Sequence, residues 1–464
     1  MLPDEVLLEI FGFCADENRR WKKDIEAWQT LVHVCRRWRS VVFESPRRLN
    51  LQLVCSDKTL VTDKLDIWPV FPLLVQCNDQ IKHVDNIVAL LKSNRLRQIE
   101  LGRAPNKDLD KLLAAMQVPF PNLTILRLAS LDSRPEETVR VLPDTFLGGS
   151  ASRLRHLYLH GIPYPSLPNL LMSATHLVDL TLYDIPHSGY FSPEAMVTAL
   201  FTLTSLKELV LLFHSPLSRP NWASRHPPPK MHIVLPVLTR LFFKGVTEYL
   251  DDLVARIDAP QLNNLDITFF NQILFDTPQL IQFISRTPAL NALEEAHLIF
   301  KDGHAGVRLS PQTSGYGQLE SLEMKVLCRE LGWQVSSLEQ LCTWCLPPFS
   351  SLENLCIYGD PLGVLGRQNN IENALWLELL QPFTTVKKLC LSKEFQRRIA
   401  PAFQELVGSR TMEVLPSLQD VLLYGGLQIS GPVRRGIQQL VAARQASRPI
   451  VISRWGREGG YSRR

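Results

Sequence analysis

No apolar run in this chain approaches the length of a membrane span. The longest, such as Leu209 to Phe213, fall far short of the roughly eighteen residues that crossing a bilayer takes, and the acidic start has no basic region of the kind that opens a signal peptide. The expectation is a soluble protein of the cytosol or nucleus with no membrane partner. An excess of one charge is lacking too. Fifty lysines and arginines stand against 46 aspartates and glutamates, a formal +4 over 464 residues, so nucleic acid is not expected as a partner. The nine cysteines are odd in number, irregularly spaced and often set inside apolar patterns, which favours reduced core thiols over a disulfide framework. A serine nucleophile elbow, paired catalytic carboxylates and an HExxH sequence are all missing. No catalytic residue and no cofactor is therefore predicted, and the chain is not expected to be an enzyme.

What is present is repetition. A short signature, aliphatic-x-x-aliphatic-x-aliphatic, starts near residues 96, 123, 154, 177, 206, 238, 262, 293, 319, 352, 386 and 418. Leu123-Thr124-Ile125-Leu126-Arg127-Leu128 and Leu206-Lys207-Glu208-Leu209-Val210-Leu211 are representative; the copy at 293 is weakened by Ala296. The mean step is about 29 residues, at the long end of leucine-rich repeats, in which each unit supplies one strand and a helix or looser return segment. Helices are predicted at Asp108 to Val118, Val246 to Ile257, Ile371 to Leu380 and Phe395 to Val407. Ser192-Pro193-Glu194 and Thr277-Pro278 read as helix starts, a hydroxyl cap followed by proline. Strand, helix, strand at this period predicts an α/β solenoid, an irregular horseshoe with a parallel concave sheet and outer helices. Two strand-like runs, Leu49 to Val54 and Asp66 to Val75, are expected to cap its first turn. Val307 to Leu309 is expected to return against Ala296 to Phe300.

The first 48 residues carry a different pattern. Val6, Leu7, Ile10, Phe11 and Cys14 recur at helical spacing after Pro3, with Asp4 and Glu5 in the first turn, where the helix dipole favours negative charge. A second apolar stripe runs through Trp28, Leu31, Cys35, Trp38 and Val42, and the two helices are expected to pack as a hairpin. So small a module buries little surface by itself, which leaves apolar residues for a partner.

Leu2-Pro3-Asp4-Glu5-Val6-Leu7-Leu8-Glu9-Ile10-Phe11 and Val34-Cys35-Arg36-Arg37-Trp38 together resemble the F-box. With the repeats, the whole chain resembles F-box proteins with leucine-rich repeats, particularly the large sets of mushroom-forming fungi. The resemblance implies a substrate receptor of an SCF-type cullin-RING ubiquitin ligase, bound to a small adaptor and through it to the cullin, with the repeats holding a target protein. Carried over by position, Leu2, Pro3, Val6, Leu7 and Ile10 would meet the adaptor, Leu31, Val34, Cys35 and Trp38 would complete that surface, and Phe11 would pack inward. The charged connection from Asn18 to Ala27, with Trp21, Lys22 and Lys23, is longer than the family's usual one. A scaffold whose F-box serves assembly without degradation shares every motif.

The division expected is an F-box at 1–48, a linker and cap at 49–95, repeats at 96–453 and a basic tail at 454–464. Because side chains alternate along a strand, the residues between the aliphatic positions point out of the sheet. Arg127 is one of these. The candidate target-binding residues are His156, Tyr158, His160, Asp179, Tyr183, Arg240, Phe242, Lys244, Asp266, His297, Tyr358 and Tyr424, rich in the aromatic and charged types that anchor protein interfaces. His156 and His160 could share an ion, but no cysteine or carboxylate joins them at convincing spacing, so no metal is predicted. Cys342-Thr343-Trp344-Cys345 has dithiol spacing without a second pair and reads as helix thiols. Ser215 to Pro236, with the proline cluster Pro227 to Pro229, and Lys301 to Gln318, with glycines 303, 306, 315 and 317, are expected to be exposed loops.

Overall fold

The computed structural model describes residues 2–15, 28–60, 68–77, 79–131, 141–220, 232–271, 275–311, 321–347, 351–359, 371–406, 412–424, 431–444 and 449–455. The charged connection at 18–27, the proline cluster at 227–229, glycines 315 and 317, and the tail beyond Trp455 lie outside them. Two units are distinguished, 1–191 with 198–206, and 192–197 with 207–464.

The first unit opens with three helices, α1 (Asp4–Ala15), α2 (Trp28–Val32) and α3 (Arg36–Glu44). The expected hairpin is thus corrected: the second stripe is broken at Cys35, whose backbone is extended (φ −159°) and whose Sγ accepts the Trp38 N–H at 3.4 Å, capping α3. Across the break, Arg39 Nε donates to the Val32 carbonyl at 3.0 Å. Phe11 packs inward against Trp38, ring centroids 4.8 Å apart.

An aromatic seam joins the helices to the strands. Trp28 meets Trp68 and Phe71 edge-on at 5.2 and 5.4 Å, Phe43 lies 6.4 and 5.9 Å from the same two rings, and the Trp28 indole N–H donates to the Gln52 carbonyl. Aromatic pairs in such geometry add about 0.5–1.5 kcal/mol each beyond the area they bury.

Six parallel strands follow in chain order, β1 (Leu53–Cys55), β2 (Leu73–Cys77), β3 (Leu96–Ala104), β4 (Ile125–Ser130), β5 (His156–His160) and β6 (Asp179–Ile185). Their register stacks like positions: Val75, Ile99, Leu126, Leu157 and Leu180 form one ladder, each at most 1% exposed. Helices Val84–Leu91, Asn106–Ala115 and Leu167–Leu171 fill the returns.

The second unit holds β7 (Glu208–Phe213), β8 (Ile233–Val234), β9 (Arg240–Gly245), β10 (Ile257–Asp258), β11 (Asn264–Phe270), β12 (Glu295–Lys301), β13 (His304–Ser310), β14 (Ser321–Leu327), β15 (Asn354–Gly359), β16 (Lys388–Leu391), β17 (Asp420–Tyr424) and β18 (Val451–Trp455). Every one of the twelve signature copies in the chain begins within two residues of a strand. The spatial order, however, is β7-β9-β11-β14-β13-β12-β15-β16-β17-β18, with β8 and β10 paired separately. β12 therefore crosses over β14's place and pairs with β15, and β13 returns antiparallel between β12 and β14. Asp302 and Gly303 (φ +84°) turn the hairpin, and a Cβ at Gly306 would stand 2.8 Å from the Met324 carbonyl. The expected return of 307–309 against 296–300 is seen, with Ala296 opposite Leu309. Leu209, Leu241, Leu265, Leu322, Leu309, Ala296, Leu355, Leu389 and Val421 make one continuous buried ladder.

The predicted helices are present with shorter bounds, Asn106–Ala115, Thr247–Val254, Asn373–Leu380 and Lys393–Phe403. Ser192 caps Pro193–Leu200, its Oγ accepting the Ala195 N–H at 3.2 Å. Thr277 does not cap Pro278–Arg286; Asp251 Oδ1, from the preceding helix, accepts the Gln279 and Leu280 N–H groups at 2.9 and 3.0 Å instead. A carboxylate at a helix N-terminus also meets the favourable end of the dipole.

Candidate interaction surfaces

Helical periodicity allows α1 two apolar stripes, and packing decides which one faces out. Leu7 and Phe11 are buried, at 4% and 0% exposure, whereas Leu2, Val6, Ile10 and Phe13 keep 52%, 42%, 42% and 70% of theirs. Pro3, Val34 and Cys35 are exposed as well, and Trp38 is half-buried on Phe11. Two expected contact residues are corrected: Leu7 and Leu31 belong to the interior of the helix trio, because Phe11 and Leu7 share the side of α1 that packs on α2 and α3. Phe13, three residues after Ile10, was missed. Arg37 fixes the start of α1 by donating to the Leu2 carbonyl at 2.5 Å and to Asp4 Oδ1, and Arg48 pairs with Glu9. These pairs are solvent-exposed and orient more than they stabilise.

In the first unit's sheet, the residues between the aliphatic rungs converge as one patch. His156 Nδ1 lies 2.6 Å from Asp179 Oδ2 on β6, its register partner. His160 stands edge-on to Tyr183 at 4.9 Å, 6.5 Å from the Tyr158 ring, and its Nε2 lies 3.8 Å from Asp184 Oδ2. Asp184 sits at φ +54°, a left-handed conformation that aspartate tolerates better than most residues. Arg127 is the register partner of Tyr158 and lies 3.9 Å from Glu100. Burial pushes the Tyr158 phenol up, the neighbouring Tyr183 adds to this, and Arg127 partly opposes it. Tyr158 therefore offers a neutral O–H at physiological pH. Of the expected residues, His156, Tyr158, His160, Asp179 and Tyr183 are together here.

The others line the second unit. Arg240 pairs with Glu208 at 2.5 Å, Phe242 is half-buried, and Lys244 lies over the Phe270 ring at 5.6 Å. Asp266 accepts from Lys325 at 2.9 Å; burial still raises its carboxyl above the ordinary range, with Lys325 pulling the other way. Glu323 links Lys325 (3.3 Å) to Arg308 (2.8 Å), a network the sequence reading did not name because β13 and β14 meet only through the hairpin. Tyr424 is exposed and Tyr358 half-buried. His297 is corrected: at 6% exposure it lies beneath the surface, flanked by β13 and β15, with its ring 5.9 Å from that of Tyr358 and 3.6 Å from the Glu295 carboxylate.

The dithiol spacing at 342–345 yields buried thiols at the end of helix Leu331–Trp344. Burial pushes Cys342 up strongly and Cys345 up to about 12, so both are neutral.

No family model matches the chain, and no curated protein matches it. Among solved structures it is similar to the leucine-rich repeat-containing protein LegL7 from Legionella pneumophila, at 12% identity and a TM-score of 0.27, over 84% of this chain and 96% of that one. It is also similar to a chain of the Rad7 and Elc1 complex in yeast, at 14% identity and a TM-score of 0.24, over 91% and 88%.

Proposed function

We propose that this chain is the non-catalytic substrate-recognition subunit of an SCF-type cullin-RING ubiquitin ligase, acting in the cytosol or nucleus. The observation that carries the reading is the outward stripe of α1, Val6, Ile10 and Phe13, with Leu2 just before the helix, which folding leaves in water although Leu7 and Phe11 on the opposite side are packed. Isolated apolar residues on a surface need no explanation, but three in one helical row beside a fourth at the helix start do. That row and the Val34-Cys35 break suit docking on the small adaptor, through which the cullin is recruited.

The sheet patch around His156, Tyr158 and Tyr183 suits a protein target: rigid backbone, aromatic anchors, and polar groups already oriented by Asp179 and Asp184. Catalysis is then by proximity, since holding a target beside a conjugating enzyme raises the effective concentration of its lysines. The test is purification of the tagged chain from cells with and without proteasome inhibition. Adaptor and cullin should co-purify, and captured proteins should accumulate on inhibition. Absence of the adaptor overturns the reading, and capture without accumulation favours a scaffold instead.

A further inference from the structure

Among the described residues, one group of three metal-ligating side chains comes together, and it lies in the second unit. Glu295 and His297 are two residues apart on β12, on the same side of the strand, and Cys356 is the register partner of His297 on β15. One ligand atom from each lies within 4.8 Å of the other two. Two of the separations are shorter: His297 Nε2 to Glu295 Oε2 is 3.6 Å, and Cys356 Sγ to Glu295 Oε1 is 3.7 Å. Tetrahedral coordination at about 2.0–2.3 Å places neighbouring ligand atoms roughly 3.3–3.8 Å apart. The two separations to the Glu295 carboxylate, one to each oxygen, stand at that spacing, and the third ligand pair lies within 4.8 Å.

We propose that Glu295, His297 and Cys356 bind a borderline-soft divalent cation of the zinc class. Donor chemistry selects the ion: a thiolate and an imidazole disfavour calcium and magnesium, which prefer all-oxygen shells, and suit zinc. Location supplies a reason for the site. β12 is the strand displaced by the hairpin, and an ion shared between it and β15 ties the inverted segment to the parallel strands beyond. His297 and Cys356 are nearly dry, while the Glu295 side chain keeps 21% of its exposure and gives the ion a way in. Cys390, the register partner of Cys356 on β16, is not one of the three residues whose ligand atoms come together. Binding replaces the thiol proton of Cys356, released to solvent, by the metal.

The test uses the reduced, chelator-treated full chain titrated with Co²⁺, followed by absorbance. A thiolate-to-cobalt charge-transfer band that saturates at one equivalent and is erased by Zn²⁺ is the expected result. Cys356→Ser should abolish the band, Glu295→Gln and His297→Ala should each weaken affinity by about tenfold or more, and Cys390→Ser should retain it. Circular dichroism checks folding, and Glu295→Gln, at the most exposed of the three positions, keeps the test meaningful if the buried variants fail to fold. A folded wild-type chain without the band overturns the proposal. So does a band that survives Cys356→Ser, or one that Cys390→Ser removes as completely.

Discussion

Replacing Ile10 by glutamate should disconnect the chain from its adaptor while leaving it folded, whereas trimming its neighbour in the other stripe, Leu7→Ala, should do the reverse. Ile10 is 42% exposed. Full burial of such a side chain contributes about 1.5–3 kcal/mol, so roughly 1 kcal/mol remains to be gained when a partner covers it. Glutamate forfeits that and places an unpaired carboxylate in a dry contact, for a combined loss of at least about 2 kcal/mol, or roughly thirtyfold in affinity. It is a good helix former on an exposed face, so the folding cost should stay within about 0.5 kcal/mol. Leu7, at 4% exposure, should instead lose about 2–5 kcal/mol of stability on truncation. Calorimetric titration with purified adaptor and thermal melts measure both. Unchanged adaptor affinity for Ile10→Glu, with an unchanged melt, would refute the assignment of the outward stripe as the docking face.

Three further outcomes are expected. Leu157→Ala, in the buried ladder, should cost about 2–5 kcal/mol and Tyr158→Ala under about 1, and equal shifts in the melt would sink the strand register. Replacing His156, Tyr158 and Tyr183 together by alanine should weaken target capture by more than about 2 kcal/mol without touching adaptor binding, as read by quantitative co-purification with both; loss of both partners, or of neither, counts against separate surfaces. Among the described cysteines, exposed Cys35 should alkylate first at pH 8, with Cys342 and Cys345 protected because burial holds their thiols neutral; mass spectrometry showing early modification of the buried pair would contradict the packing.

Most of the fold was legible because the aliphatic rungs recur at a spacing that a parallel strand ladder requires. Even the hairpin was visible in part, since the strand-like runs 296–300 and 307–309 flank Asp302-Gly303, a dipeptide suited to a tight turn. The strand order was not. Periodicity marks β12 as a strand but carries no information on whether β11 pairs with β12 or with β14. Similarly, the helical period marked both stripes of α1 yet could not choose between Leu7 and Val6; the choice lies in contacts with α2 and α3. Cys356 and His297 are 59 positions apart and adjacent only because of the exchanged strands, so the cluster they form with Glu295 had no local signature.

Under the proposed receptor role, the aromatic seam of Trp28, Phe43, Trp68 and Phe71 bears on which lysines of a captured protein come within reach. A helical module hung on a loose tether would sweep a broad volume, and nearly any lysine on a captured protein would come within reach in turn. Here two tryptophans and two phenylalanines wedge the module against the start of the first unit's sheet, so the stand-off between the docking helix and the patch on β5 and β6 is set like a gauge. In that role selection would operate twice, once on the surface that fits the patch and again on whether a lysine happens to sit at the gauge's mark.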